Sequence, residues 1–134
     1  MKYLLDTNVC IDYFNGRYPS VRLRLQEHSP SDLCLSSIVV SELRYGADKS
    51  SHQRQNHHRI DVLTREIQCL DFDLEAAEVF GRTRSRLEVH GQLIGPYDML
   101  IASHALSREL VVVTDNLAEF SRVEGLEIES WREP

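Results

Sequence analysis

Five short apolar runs, most of them closed at once by polar residues and all separated by helix-periodic stretches, leave this chain few folds to choose from. Tyr3-Leu4-Leu5 runs straight into Asp6-Thr7-Asn8, Leu33-Cys34-Leu35 into Ser36-Ser37, and Leu110 to Val113 into Thr114-Asp115-Asn116. Ile67 to Phe72 and Leu126 to Trp131 carry apolar residues at period two, as strands do. Between them, Val9 to Phe14, Val21 to Glu27, Ile38 to Ala47 and Gln53 to Arg65 read as helices. So do Leu74 to Val89 and the segment that Gly95-Pro96 opens. Ser36-Ser37 offers an N-cap for the third of these, which places Val39, Leu43 and Ala47 on one stripe and ends near Gly46. Ala76, Ala77, Phe80, Thr83 and Leu87 form the stripe of the helix from Leu74; Met99, Ile101, Ala102, Ala105 and Leu106 form that of the next. Strands that alternate with helices imply an α/β fold with a central parallel sheet between two helical layers.

The 134 residues suit one domain spanning 1–134. With 42% hydrophobic and 27% charged residues, the chain has a core to bury and no need of staples. No apolar run is long enough to cross a bilayer, and Asp6 interrupts any signal-like start, so a cytoplasmic location is expected. Cys10, Cys34 and Cys69 show no C-x-x-C spacing and read as reduced core thiols. The net charge of −6 argues against gripping nucleic acid through a general positive potential. Thirteen of the fifteen basic residues are nevertheless Arg, the side chain suited to phosphate. An acidic chain could still handle RNA if some of its carboxylates hold metal ions.

Ligands of open α/β sheets gather beyond the carboxyl ends of the strands. Asp6 and Asp115 stand at two such ends, while Glu42 and Asp98 lie near the starts of helices, each at the edge of a buried stripe. Four half-buried carboxylates repel one another, and no Lys or Arg within these motifs stands ready to neutralise them. Protons or a divalent cation must do so. All-oxygen ligation suits Mg²⁺ or Mn²⁺ rather than zinc, and Mg²⁺ on carboxylates activates water for in-line attack on a phosphodiester. Competing motifs are missing: there is no phosphate-binding G-x-x-x-x-G-K-[ST], no G-x-G-x-x-G, no G-x-S-x-G and no H-E-x-x-H. His57, His58 and Arg59 read as solvated surface, and His104 as packing or capping near the Asp98 helix. Arg82, Arg84 and Arg86 spread around their helix; a solvated face is the simpler reading and RNA contact the alternative.

Leu4-Leu5-Asp6-Thr7-Asn8, Ser41-Glu42-Leu43-Arg44-Tyr45-Gly46, Tyr97-Asp98-Met99-Leu100-Ile101-Ala102 and Val113-Thr114-Asp115-Asn116 with Glu119-Phe120 together resemble a PIN domain. More closely, their order and spacing are similar to the VapC toxins of toxin–antitoxin pairs. The resemblance implies a metal-dependent endoribonuclease with Mg²⁺, or Mn²⁺ in its place, on an acidic cluster. Asp6 and Asp98 would be the direct metal ligands, and Glu42 the residue holding the ion's water or a second ion. Thr7, Asn8 and Thr114 match polar positions of the family beside the site. The fourth acid is the open point: the family pattern aligns Asn116, but the only carboxylate is the neighbouring Asp115, which is taken as the fourth catalytic acid with Asn116 beside it at the substrate. A homodimer, a VapB-like antitoxin whose tail shuts the groove with an arginine, and structured RNA such as initiator tRNA are further implications.

Other readings are a Mg²⁺-dependent phosphatase or phospho-receiver, a catalytically weak PIN-like module acting through its antitoxin complex, and DNA cleavage at the same site. The first wants a second Asp where Asn8 stands and a lysine near the phosphate, whereas the lysines here are Lys2 and Lys49. Intact Asp6, Glu42 and Asp98 weigh against the second, and metal binding would discriminate it. The third needs a substrate assay.

Overall fold

The computed structural model describes residues 1–132. Five parallel strands form one sheet: β1 (Tyr3–Leu5), β2 (Leu33–Ser36), β3 (Gln68–Leu70), β4 (Val111–Val113) and β5 (Ile128–Glu129). Their spatial order is β3-β2-β1-β4-β5. The helices are α1 (Thr7–Asn15), α2 (Pro19–Glu27), α3 (Ser37–Asp48), α4 (Gln53–Glu66), α5 (Leu74–Val89), α6 (Pro96–Ser107) and α7 (Leu117–Phe120). Parallel strands need crossover connections, and these supply them. The chain runs outward from β1 to β3 and then returns to the far side of β1. Right-handed crossovers therefore put α1 to α4 on one face and α5 to α7 on the other, the α/β/α arrangement expected.

The three central strands β2, β1 and β4 are buried along their whole length and are almost wholly hydrophobic because both faces are covered. Leu4, Leu5, Cys34, Leu35, Val112 and Val113 have essentially no exposed surface. Helix α3 buries Val39, Leu43 and Ala47, the expected stripe, and starts where Ser36 Oγ accepts the Ile38 N–H at 3.1 Å. Helix α1 stops at Gly16, whose positive φ lets its N–H reach back to the Asp12 carbonyl. Helix α5 spans the expected residues, but only Ala76, Thr83 and Leu87 of its stripe are fully buried and Ala77 is exposed.

Several expectations change. The run from Ile67 to Phe72 pairs only over Gln68–Leu70, since the Phe72 N–H turns to Ser37 Oγ. Leu126 to Trp131 contributes only Ile128–Glu129; Trp131 leaves the ladder to fill the core at 1% exposure. Cys10 and Cys34 are core thiols as expected, whereas Cys69 lies exposed on the edge strand β3. His57 is not simply solvated: its Nδ1 accepts from Arg44 Nη1 at 3.0 Å, so its Nε2–H donates to Asp48 at 2.7 Å. With Arg44 also on Asp61 at 2.7 Å, this ties α3 to α4. Arg84 pairs with Glu88 and Arg86 with Glu124, at the surface. No helix among the described residues is long and apolar enough to cross a membrane.

Candidate active site

The strand order reverses between β1 and β4, and a doubly wound sheet opens its ligand crevice beyond the carboxyl ends of the strands at such a reversal. Asp6 follows β1 there and Thr114 follows β4. Asp6 is buried, and both its oxygens accept a bond: Oδ1 from the Thr7 N–H and Oδ2 from the Thr114 hydroxyl, each at 2.8 Å. It also caps α1, so the helix N-terminus faces the charge. Burial raises the Asp6 pKa against the pull of Thr114 and Thr7, with smaller upward pushes from Glu42 and Asp115. Glu42, one turn into α3 at the rim of its buried stripe, accepts the Thr7 hydroxyl at 3.0 Å. Thr7 thus joins the first acid to the second.

Asp98 lies in the first turn of α6, and its partner is one that sequence reasoning left without a role. Glu119 of α7 turns toward it, and the Asn116 amide donates to Asp98 Oδ2 at 3.1 Å and Glu119 Oε2 at 2.8 Å. One nitrogen touching both carboxylates means that they converge. Burial, hydrogen bonding to Glu119 and repulsion from Asp6 push the Asp98 pKa up to about 7, while Glu119 is held low as the acceptor of the pair. Glu119 stands three residues after Asn116, a spacing that brings both to one side only because α7 is helical.

Asp115 is placed differently. Its Oδ2 forms an ion pair with Arg132 Nη1 at 2.8 Å and its Oδ1 accepts from the Asn8 amide at 3.5 Å, so it faces the chain's last described residue while Asn116 faces Asp98. No Lys or Arg of the motifs themselves pairs with these acids, but Arg132, distant in sequence, reaches Asp115 when the segment after β5 wraps over α1. Asp6, Glu42, Asp98 and Glu119 form no ion pair with Arg, Lys or His among the described residues. Cys10, close to Asp6, is fully buried with its thiol pKa raised, which makes it inert. His104 is buried in α6 against Ser36 Oγ at 2.7 Å, away from these carboxylates.

No three His, Cys, Asp or Glu side chains among the described residues close around a single point as a preformed cage. A hexahydrated ion that gives up few waters asks for less, since Mg²⁺ is usually held by one or two carboxylates. The donor set is all oxygen, and burial, the bond to Glu119 and the charge of Asp6 push the Asp98 pKa up to about 7, a burden that a positive charge beside it would relieve. Both features fit a small hard cation.

Residues 3–126 match the PIN domain. The chain is 42% identical, over 98% of both chains, to the tRNA(fMet)-specific endonuclease VapC of Salmonella typhimurium. Its structure is similar to a chain of DNA-bound VapBC from Salmonella typhimurium, with a TM-score of 0.92 and 41% identity over 98% of each chain. It is likewise similar to VapBC2 from Rickettsia felis bound to a DNA fragment from its promoter, with a TM-score of 0.91 and 35% identity over 98% of this chain and 99% of that one.

Proposed function

Because the chain belongs to the PIN-domain family and, within it, to the VapC proteins, we propose that it is the toxin of a type II toxin–antitoxin pair, a Mg²⁺-dependent endoribonuclease. The observation that carries this reading is two bridged pairs of carboxylates, Asp6 with Glu42 through Thr7 and Asp98 with Glu119 through Asn116, the charge of Asp6 acting on Asp98 and no basic side chain paired to any of the four among the described residues. Asp6 and Asp98 would hold Mg²⁺, with Glu42 and Glu119 at its water shell. Bound there, the ion supplies a Lewis acid that makes water nucleophilic and offsets charge on the phosphodiester.

The chain's own residues set up that chemistry. The Thr114 hydroxyl and the Thr7 amide fix both Asp6 oxygens and leave one lone pair of each free. Asn116 holds Asp98 and Glu119 in one orientation, with burial and the bond to Glu119 raising the Asp98 pKa to about 7. Thr7 orients Glu42 by donating to it. Structured RNA is the substrate, with initiator tRNA the leading member, a reading supported by the name of the Salmonella relative. A VapB-like antitoxin is the partner, supported by the VapBC complexes that share the fold, and a homodimer is the assembly that the family resemblance implies.

A panel of purified tRNAs, incubated with wild type and Asp98→Asn in Mg²⁺, Mn²⁺ or chelator, tests the proposal. Metal-dependent cutting at a fixed position should fall by at least a hundredfold in the variant. Full activity in folded Asp98→Asn, or cutting that survives chelation, would sink it. A folded wild type that cuts no RNA would favour the catalytically weak module acting through its antitoxin complex.

A further inference from the structure

Arg132 is the one basic residue among the described residues that engages two carboxylates. Its Nε and Nη2 donate to Asp12 Oδ2 at 2.8 Å and Oδ1 at 3.2 Å, a bidentate fork. Its Nη1 lies 2.8 Å from Asp115 Oδ2, and its plane sits over the Tyr18 ring at 4.3 Å. The backbone beneath is fixed as well: Ser20 Oγ lies within donating distance of the Trp131 and Arg132 carbonyls, and Trp131 is buried. Every nitrogen of this guanidinium has a partner, so its orientation is over-determined.

Asp12 is nearly inaccessible and sits one and a half turns into α1 from Asp6; Asp115 precedes Asn116, the residue that aligns Asp98 with Glu119. Asp115 remains close enough for its charge to act on Asp6. Without a counter-charge it would be a fifth acid at the crevice, free to turn from the Asn8 side toward Asp6. We propose that Arg132 is a positioning residue that withholds Asp115 from the carboxylate set and so fixes the charge, and hence the cation affinity, of the site. The inference rests on the metal reading given above. It does not place Arg132 on substrate.

Mn²⁺ alone, titrated calorimetrically into the full chain, tests it without any turnover. Arg132→Gln strands a buried Asp12 carboxylate and risks the fold. The informative variant is therefore Asp12→Asn/Arg132→Gln, which leaves two amides able to bond each other and frees Asp115. It should bind Mn²⁺ about three- to tenfold more tightly than wild type, the effect of one carboxylate released from its counter-charge near a divalent ion. Adding Asp115→Asn should return the affinity to within about twofold of wild type. A purely structural Arg132 would lower thermal stability and leave Mn²⁺ affinity unchanged, which overturns the proposal. So would weakened binding in Asp12→Asn/Arg132→Gln, or a large loss of Mn²⁺ affinity on Asp115→Asn in the wild-type background, since Asp115 would then already belong to the set. Wild type that takes up no Mn²⁺ would overturn the metal reading itself, before any variant is compared.

Discussion

Asp98 shows how one side chain can store an unfavourable charge. Its pKa is pushed up to about 7, against 3.8 for an ordinary aspartate, by burial, by its bond to Glu119 and by repulsion from Asp6. Between these two values the folded chain binds a proton that the unfolded chain releases. The contribution of Asp98 to the stability of the metal-free protein therefore falls as pH rises from about 4 to 7 and levels off above that. Asp98 is partly open to solvent, which screens much of the effect, so the expected loss is on the order of 1 kcal/mol. In chelator, Asp98→Asn should be the more stable protein at pH 7.5 and should lose its advantage near pH 4. Urea melts of both proteins across that range decide it; parallel curves would mean that Asp98 carries no such burden. Asp6, Glu42 and Asp98 are legible in the sequence because each stands at a strand exit or on the first turns of a helix. Glu119 and Arg132 are not, because what makes each matter is a tertiary fold-back: the short turn of α7, and the segment after β5 crossing α1.

Among the elements, α3 and α6 carry Glu42 and Asp98, and they meet at one hydroxyl. Ser36 Oγ accepts the Ile38 N–H that opens α3 and lies 2.7 Å from His104 Nδ1 of α6. His104 is buried, its other ring nitrogen has no partner, and burial holds its pKa below the usual value. Ser36→Ala removes a helix cap, worth about 1 kcal/mol, and strands a buried imidazole nitrogen, worth about 1–3 kcal/mol more. The variant should lose about 2–4 kcal/mol in denaturant melts, whereas Ser41→Ala, an exposed α3 residue bonded only to the Ser37 carbonyl, should lose under about 0.5 kcal/mol. Equal losses would remove Ser36 from this joint. The cap is readable from Ser36-Ser37 ahead of an apolar stripe, but its bond to His104 joins residues 68 positions apart, a separation at which no local pattern speaks. The lengths of β3 and β5 escape for a related reason: both are edge strands, and pairing on one side alone ends where Phe72 and Trp131 find other partners.

At the scale of the whole molecule, alternation of strand and helix makes the parallel sheet legible, but the order β3-β2-β1-β4-β5 is not, since nothing local says on which side of β1 the returning chain will land. That landing brings Thr114 to Asp6 and creates the crevice. It also governs how an acidic protein could hold RNA. With a net charge of −6, the chain has no general positive field, so phosphate must be met by particular arginines near the crevice. Most arginines around the site are spoken for: Arg44 by Asp61 and His57, Arg132 by Asp12 and Asp115, Arg22 by the Tyr13 carbonyl. Arg59 of α4 is different, exposed and without an ion pair among the described residues. It lines a cavity of about 270 Å³ that also has Glu42 in its wall. If the ribonuclease reading holds, Arg59→Ala should raise KM for the RNA by roughly threefold to tenfold, leave kcat within about twofold, and flatten the salt dependence of kcat/KM by about one ion. Arg84→Ala, already paired on α5 with Glu88, should change none of these. Cleavage rates of the three proteins from 50 to about 200 mM salt separate a local phosphate contact from a diffuse field, because a diffuse field would respond to both substitutions alike.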